Sequence, residues 1–124
     1  MAKPILGLRT TIYKVADIAA AKTWYADAFD TEPYFDEPFY VGFNIGGYEL
    51  GLMPDDTPDD EKSTNVLSYW GVEDINAEFA RFIRLGAQMN TAPANVGGEI
   101  KVATVLDPWN NAIGLIYNPD FVLP

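Results

Sequence analysis

The residues best able to do chemistry in this chain are carboxylates, because it contains no histidine and no cysteine. Their absence removes the commonest zinc ligands, the usual general base and every Ser-His or Cys-His pair. Glu49 lies two residues before Gly51 in an apolar segment over 48–53. Strand alternation places both on one face. Glu49 is therefore a candidate general base, since burial among apolar side chains would raise its pKa.

Aromatic residues are the second candidate group, because their rings can stack on a flat or cationic ligand. The set consists of Phe39, Tyr40, Phe43, Trp70 and Trp109. In the strands of a small domain such rings more often belong to the core. Trp109 is the preferred ligand contact, because it falls in a turn-forming sequence where a ring has less core to enter.

A faint internal repeat supplies the elements that must position these residues. Val15-Ala16-Asp17-Ile18 returns as Val72-Glu73-Asp74-Ile75, and Leu50-Gly51-Leu52 returns as Ile113-Gly114-Leu115. Each copy opens with an apolar run, passes an aspartate typical of a helix N-cap, and closes with hairpin-like strands. The pattern predicts an α+β fold of two tandem β-α-β-β-β modules.

Module one is predicted over about 5–54, within a single domain of 1–124. Its helix is expected over about 18–29, where the apolar residues recur at spacings of three and four. Its strands are predicted at 6–15, 39–45 and 48–53. An acidic, proline-containing connector follows over about 55–64, and we expect it to be exposed.

Module two is predicted over about 65–118. Its helix begins after Asp74 and ends at Gly86, a residue typical of the position after a helix C-cap. Its strands are predicted at 65–72, 87–89, 99–106 and 112–117, with a loop through Pro93 and Gly97-Gly98. A turn is predicted at 107–111, where asparagines tolerate a positive φ.

The charge balance limits the class of partner. Eighteen acidic residues against eight basic ones give a net charge of −10, which repels nucleic acid and anionic lipid. We therefore expect a small-molecule ligand, with no nucleic acid and no membrane as partner. The lack of cysteine fits a reducing compartment, and residues 1–4 do not begin like a secretory signal, so we expect a cytoplasmic protein.

Three segments carry a family resemblance. They are Val15-Ala16-Asp17-Ile18 leading to Trp24-Tyr25 and Phe29, Val72-Glu73-Asp74-Ile75 leading to Leu85-Gly86-Ala87, and Asp107-Pro108-Trp109-Asn110-Asn111. The last is similar to an Asp-Pro-x-Gly-Asn turn. By their order and spacing the chain resembles the vicinal oxygen chelate superfamily of glyoxalases, bleomycin resistance proteins and extradiol dioxygenases. The resemblance implies curled mixed sheets around a cleft, and a homodimer.

The resemblance also locates four metal-ligand positions, one on the first and one on the last strand of each module. In this sequence they are Thr10, Gly51, Leu67 and Gly114. Two have no side chain, one is a hydrocarbon, and a threonine hydroxyl alone is a poor anchor for zinc or iron. We therefore expect no metal and no cofactor. A displaced site with oxygen ligands from Glu49 and Glu99 is the alternative.

Strand alternation around Gly51 and Gly114, with Trp109 of the predicted turn added, gives the expected ligand-binding set. It comprises Thr10, Ile12, Glu49, Gly51, Met53, Leu67, Tyr69, Trp109, Gly114 and Ile116. The expected function is a metal-free protein that sequesters an aromatic ligand, which could be cationic, in an apolar cleft. One alternative is a metal-independent enzyme related to glyoxalase lyases or dioxygenases, with Glu49 as general base. Another is a module for protein contacts.

Overall fold

The computed structural model describes residues 4–63 and 65–122 of the chain. The chain divides into two compact units, of which the first ends at Pro58 and the second begins at Asp59. The division falls inside the acidic segment 55–64. Each unit contains one helix and one four-stranded mixed sheet, so the predicted α+β class and the tandem order of the two modules are confirmed. None of the helices in the described ranges is long and apolar enough to cross a membrane.

Unit 1 has the strand order β1-β4-β3-β2, with β1 parallel to β4 and the other pairs antiparallel. Its elements are β1 (Thr10–Val15), α1 (Ile18–Ala28), β2 (Phe35–Glu37), β3 (Tyr40–Ile45) and β4 (Tyr48–Pro54). Asp17 is the N-cap of α1, and its carboxylate accepts a hydrogen bond from the backbone N–H of Ala20 at 3.1 Å. This bond satisfies one of the amide groups that a helix start leaves unpaired.

The core of unit 1 lies between α1 and one face of the sheet. Leu50 and Leu52 of β4 are fully buried there, together with Phe43 of β3. Tyr25 of α1 is also fully buried, and its ring stacks on that of Tyr13 with centroids 5.7 Å apart. Burying each large apolar side chain contributes about 1.5–3 kcal/mol, so this layer holds the helix on the sheet.

Unit 2 has the strand order β5-β8-β7-β6, with β5 parallel to β8 and the rest antiparallel. Its elements are β5 (Tyr69–Gly71), α2 (Ile75–Arg84), β6 (Gln88–Gly97), β7 (Ile100–Leu106) and β8 (Ala112–Tyr117). Asp74 caps α2 through the N–H of Ala77 at 3.1 Å, as the repeat predicts. Gly86 follows the helix with a φ of 106°, a conformation that favours glycine.

Both opening strands are shorter than predicted. The sequence favours strands over 6–15 and 65–72, but the sheets take only Thr10–Val15 and Tyr69–Gly71. The parallel partner β4 begins at Tyr48, beside Arg9, and β8 begins at Ala112. In unit 1 residues 4–8 therefore lie beyond the start of β4. In unit 2 the Ser68 carbonyl still accepts a hydrogen bond from the Gly114 N–H at 3.0 Å, but the regular strand begins only at Tyr69.

Two further strand predictions are wrong. The β-α-β-β-β pattern includes a strand between the helix and 39–45, but no residues are assigned to it, because the three residues of β2 between Pro33 and Pro38 carry too little pattern. The expected loop around Pro93 is instead part of the continuous strand β6, which spans 88–97. Because β6 is an edge strand with three register shifts, it tolerates a proline that a central strand would exclude.

Candidate functional site

The face of unit 1's sheet that is turned away from α1 carries most of the polar side chains of its central strands. We call it the helix-free face. Its positions are Thr10, Ile12 and Lys14 on β1, Tyr40, Gly42 and Asn44 on β3, and Glu49, Gly51 and Met53 on β4. Alternation along β4 buries Leu50 and Leu52 on the other side. The structure thus brings together all five unit 1 residues of the predicted site.

A carboxylate at the centre of this face accepts three hydroxyl hydrogen bonds. The phenol of Tyr34 donates to Oε2 of Glu49, and the phenol of Tyr40 donates to Oε1 at 2.7 Å. The Thr10 hydroxyl also donates to Oε1, at 3.0 Å. We call these four residues the Glu49 cluster. All of its hydrogen bonds join side chains from different segments of unit 1.

Two glycines on neighbouring strands make room for the phenols. Gly42 and Gly51 are register partners of β3 and β4. A Cβ atom at Gly51 would overlap the hydroxyl of Tyr40. A Cβ at Gly42 would lie 2.9 Å from Oε2 of Glu49 and 3.3 Å from the Tyr34 ring. The two glycines therefore leave the space that the phenols and the carboxylate occupy, and a side chain at either position would displace the cluster.

The hydrogen bonds determine the protonation states in the cluster. The bond from Tyr34 lowers the pKa of Glu49, the bonds from Tyr40 and Thr10 add to this, and partial burial opposes them. The direction is opposite to the raised pKa expected from the sequence. The Glu49 carboxylate is thus ionised at neutral pH, and with three donors already bound it is a weak base.

The pKa values of the two phenols shift in the opposite direction, upward. The hydrogen bond to Glu49 raises the pKa of Tyr34, with burial and the carboxylate charge adding to it. For Tyr40 burial is the largest cause of a raised pKa, followed by its hydrogen bond to Glu49. Both phenols therefore keep their hydrogens at neutral pH, and those hydrogens are directed at the carboxylate.

Accessible aromatic rings adjoin the cluster. The Phe35 ring lies edge-on to that of Phe39 with centroids 6.1 Å apart, and 6.2 Å from that of Tyr40. Phe39 is 64% exposed and Tyr34 is 63% exposed. On the other side of Gly51, Ile12 is 48% exposed. A carboxylate bordered by exposed rings can hold a flat ligand that carries a positive charge.

The predicted site residues of unit 2 also share a sheet, but they form no polar cluster. Tyr69 is the register partner of Gly114, and Ile116 is the partner of Gly71. A Cβ at Gly114 would lie 2.6 Å from the Tyr69 ring and 2.7 Å from the Ser68 carbonyl oxygen. Leu67 lies just before β5, at the end of the sheet where β8 begins. The Tyr69 ring fills the gap above Gly114, and on the other side of that glycine the buried Thr104 of β7 accepts a hydrogen bond from the Asn90 side-chain amide at 3.0 Å.

Trp109 lies in the turn between β7 and β8 and is half-buried. The carboxylate of Asp107, only 2% exposed, accepts hydrogen bonds from the backbone N–H groups of Trp109 and Asn111, both at 2.8 Å. It also accepts one from the Asn111 side-chain amide at 2.9 Å. Asn110 has the expected positive φ, of 67°. Asp107 therefore holds the turn, a role that the sequence reasoning missed.

The residues at the four positions where the family resemblance implies metal ligands do not fit a metal ion. Gly51 and Gly114 offer no side-chain ligand atom, and tyrosine rings fill the space above both. Leu67 is a hydrocarbon, and the Thr10 hydroxyl is committed to Glu49. In residues 4–63 and 65–122 no three acidic side chains come close enough to hold a cation. Glu99, the other proposed oxygen ligand, lies in unit 2, in the turn before β7.

A family model described as the Glyoxalase/Bleomycin resistance protein/Dioxygenase superfamily matches residues 7–115. No curated protein matches the chain. Solved structures match it well. One is a glyoxalase-related enzyme from Fulvimarina pelagi, with a TM-score of 0.78 and 15% identity, covering 97% of this chain and 94% of that chain.

Two other similar structures carry more specific names. The fosfomycin resistance protein FosX from Listeria monocytogenes has a TM-score of 0.73 and 20% identity, with 96% of this chain and 97% of that chain covered. Lactoylglutathione lyase from Agrobacterium tumefaciens has a TM-score of 0.73 and 18% identity, with 96% and 100% covered. At these identities the likeness establishes the fold.

Proposed function

Since the chain belongs to the glyoxalase/bleomycin resistance protein/dioxygenase superfamily, we propose that it is a metal-free binding protein that sequesters a small aromatic molecule. The observation that carries the proposal is the helix-free face of unit 1, where the ionised Glu49 cluster adjoins the exposed rings of Phe35 and Phe39. Such a surface combines apolar contact area with one fixed charge, two features that small-molecule sites use.

The mechanism is stoichiometric capture. Covering the Phe35 and Phe39 rings with a flat ligand removes apolar surface from water and gives about 25 cal/mol per Å² before the cost of association. Stacked or edge-on rings add about 0.5–1.5 kcal/mol per pair. The net charge of −10 favours the approach of a cationic ligand, an effect that salt weakens.

Catalysis by Glu49 as general base is the competing function, and the geometry disfavours it. A general base needs a free lone pair and a pKa near the working pH. Glu49 has three hydroxyl donors on its oxygens and a lowered pKa. Fosfomycin resistance and lactoylglutathione cleavage are named for proteins of the same fold, which keeps an enzymatic role as an outcome to be tested.

Isothermal titration calorimetry with a planar aromatic cation, 9-aminoacridine, tests the proposal. We expect one site per chain, and we expect Phe39→Ala to weaken binding at least several-fold because that ring forms part of the contact surface. Phe121→Ala is the matched control, since Phe121 is 67% exposed against 64% for Phe39 but lies after the last strand. It should bind like the wild type.

Two results would overturn the binding-protein proposal. One is an equal loss of affinity in Phe39→Ala and Phe121→Ala, which would mean that the ligand adheres to exposed rings in general. The other is turnover of a glyoxalase or dioxygenase substrate that disappears in Glu49→Gln, which would establish the enzyme instead.

The proposal also includes a cytoplasmic homodimer. The family resemblance suggests the dimer, and the absence of cysteine supports a reducing compartment. Ile5, Leu6 and Leu8, near the start of the described chain, are 79%, 72% and 59% exposed, a large amount of apolar surface for a monomer. Light scattering after size exclusion should give twice the mass of 13.7 kDa. A mass of one chain at micromolar concentration would reject the dimer.

A further inference from the structure

The hydroxyl hydrogens of the Glu49 cluster are all used within the cluster. A phenol or a threonine hydroxyl has a single hydrogen to donate. Those of Tyr34, Tyr40 and Thr10 are directed at the Glu49 carboxylate. What the phenols have left for a ligand are oxygen lone pairs, which accept hydrogen bonds and cannot donate them.

The carboxylate itself retains room for one more donor. An ionised carboxylate offers about four lone-pair sites, two on each oxygen. Oε1 of Glu49 is taken up by Tyr40 and Thr10, whereas Oε2 receives Tyr34 alone among the described residues. The vacant acceptor position therefore lies on Oε2, next to the exposed Tyr34. Every polar group that the cluster presents to a ligand is an acceptor, and one of them carries a full negative charge.

The surroundings favour a positive charge on the ligand as well. The face of an aromatic ring attracts a cation within about 6 Å of its centroid. Phe35, Phe39 and Tyr40 provide such rings beside the carboxylate. Lys14 is the basic residue on this face, and it is the register partner of Met53 on the far side of Gly51 from Glu49.

We propose that the Glu49 cluster selects ligands whose cationic group carries N–H hydrogens, namely a protonated amine or an amidinium. The inference rests on the proposed binding function and specifies its ligand class. A cationic N–H donor satisfies the vacant position on Oε2 with a charge-assisted hydrogen bond. A quaternary ammonium gains the charge attraction but no hydrogen bond, a neutral alcohol gains no charge attraction, and an anion is repelled by Glu49.

Four probes of similar size separate these cases. They are benzamidine, benzyltrimethylammonium, benzyl alcohol and benzoate, each titrated into the full-length protein at pH 7 and followed by calorimetry or by NMR shifts. We expect affinity to fall in that order, with benzamidine at least tenfold tighter than benzyl alcohol. Because this ranking is measured on the wild type, it does not depend on whether a variant folds.

Two variants that each lose one negative charge then test whether the selectivity depends on the Glu49 carboxylate. Glu49→Gln removes the central carboxylate and introduces an amide donor, so the preference for benzamidine over benzyl alcohol should fall at least fivefold. Glu37→Gln, on β2, removes one negative charge from the same sheet but none of the three hydrogen bonds of the cluster, and it should keep most of the preference. Circular dichroism and the melting temperature show that each variant is folded.

Failure of the selectivity inference and failure of the proposed binding function would give different results. If the wild type binds all four probes with equal affinity, the proposed binding function stands and the selectivity inference is overturned. If Glu37→Gln lowers the preference as much as Glu49→Gln does, net charge alone explains it and the role of the cluster is likewise rejected. If the folded wild type binds none of the four probes, the binding function itself is rejected.

Discussion

The two units place glycines at equivalent points and cover them differently. Gly51 of β4 and Gly114 of β8 each lie opposite the strand that opens their unit. In unit 1 the space above Gly51 is filled by Tyr40, which comes from the antiparallel neighbour β3. In unit 2 the space above Gly114 is filled by Tyr69, which comes from the parallel neighbour β5. The same gap is thus closed from opposite sides.

The neighbours of these glycines differ in polarity. In unit 1 the residue two positions before the glycine is Glu49, and its partner on the opening strand is Thr10. The corresponding residues of unit 2 are Ala112 and Leu67. The units share their capping aspartates and a buried apolar layer, whereas among the described residues the carboxylate with three hydroxyl donors lies in unit 1. The duplication therefore preserves what folds each unit, and the charged cluster distinguishes unit 1.

The largest expected effect is the loss of stability when a leucine is removed from the buried apolar layer of either unit. Leu52 and Leu115 each follow the central glycine of their unit, and both are buried. Leu52→Ala and Leu115→Ala should each lower the free energy of unfolding by about 2–5 kcal/mol, because each leaves a cavity in a packed core. Urea denaturation followed by circular dichroism measures the two losses. A loss below about 1 kcal/mol in either variant would show that the two layers are not equivalent.

The two glycines themselves should respond unequally. In Gly114→Ala the new Cβ meets the Ser68 backbone oxygen and the Tyr69 ring, so the strand must shift, at a cost of about 1–3 kcal/mol of stability. In Gly51→Ala it meets the end of the flexible Tyr40 side chain, which can move aside at a smaller cost. The stability loss should therefore be larger in unit 2, and the loss of benzamidine binding should occur in Gly51→Ala.

Gly71→Ala is the control for both glycines. A Cβ at Gly71 would meet nothing within 4 Å, so the free energy of unfolding should change by less than about 0.5 kcal/mol. An equal stability loss in all three alanine variants would indicate a general backbone effect and would remove the contrast between the units.

The helix caps should be equivalent in the two units. Asp17→Ala and Asp74→Ala each remove the side-chain acceptor for one amide at a helix start, and each should cost about 0.5–2 kcal/mol. Asp17→Asn and Asp74→Asn should retain most of the stability, because asparagine is also a good N-cap. Thermal melts of the four variants provide the comparison. If the asparagine variants lose as much as the alanine variants, charge rather than capping is responsible.

The smallest expected effect is the pH dependence of the stability that Glu49 contributes to unit 1. The pKa of Glu49 is lowered from 4.5 by folding, so its contribution to stability is present above that pH and is lost as the pH falls through the folded-state pKa. The difference in melting temperature between the wild type and Glu49→Gln should therefore narrow below pH 4.5. Glu37→Gln corrects for the change in net charge. A difference that widens in acid would contradict the lowered pKa.

Local signals allowed much of the fold to be predicted from the sequence. Asp17 and Asp74 were identified as caps because capping depends on residues within one turn. The face assignment along β4 followed from its period of two. The starts of β1 and β5 were misplaced, because the length of a strand depends on its pairing with a partner that lies elsewhere in the chain. The residues of β2 were missed because this three-residue strand depends on its pairing with β3.

The candidate site was predictable only in part. Alternation placed Thr10, Glu49 and Gly51 on one face, as the structure has them. The donation from Tyr34 was missed, because Tyr34 precedes β2 and reaches Glu49 only through the folded chain. The expected direction of the Glu49 pKa was wrong for the same reason, since the donors that lower it come from other segments. Tyr40, two residues before Gly42, was within reach of the alternation argument.

The irregular strand β6 has a consequence for how the protein behaves at high concentration. It forms an outer edge of its sheet and is almost entirely exposed, yet Pro93 lacks an N–H group and the pairing register shifts three times along its length. A straight exposed edge would invite strands of other molecules to add on and grow into aggregates. This bent and interrupted edge offers no continuous ladder to an incoming strand, and so protects the protein against fibrous self-association.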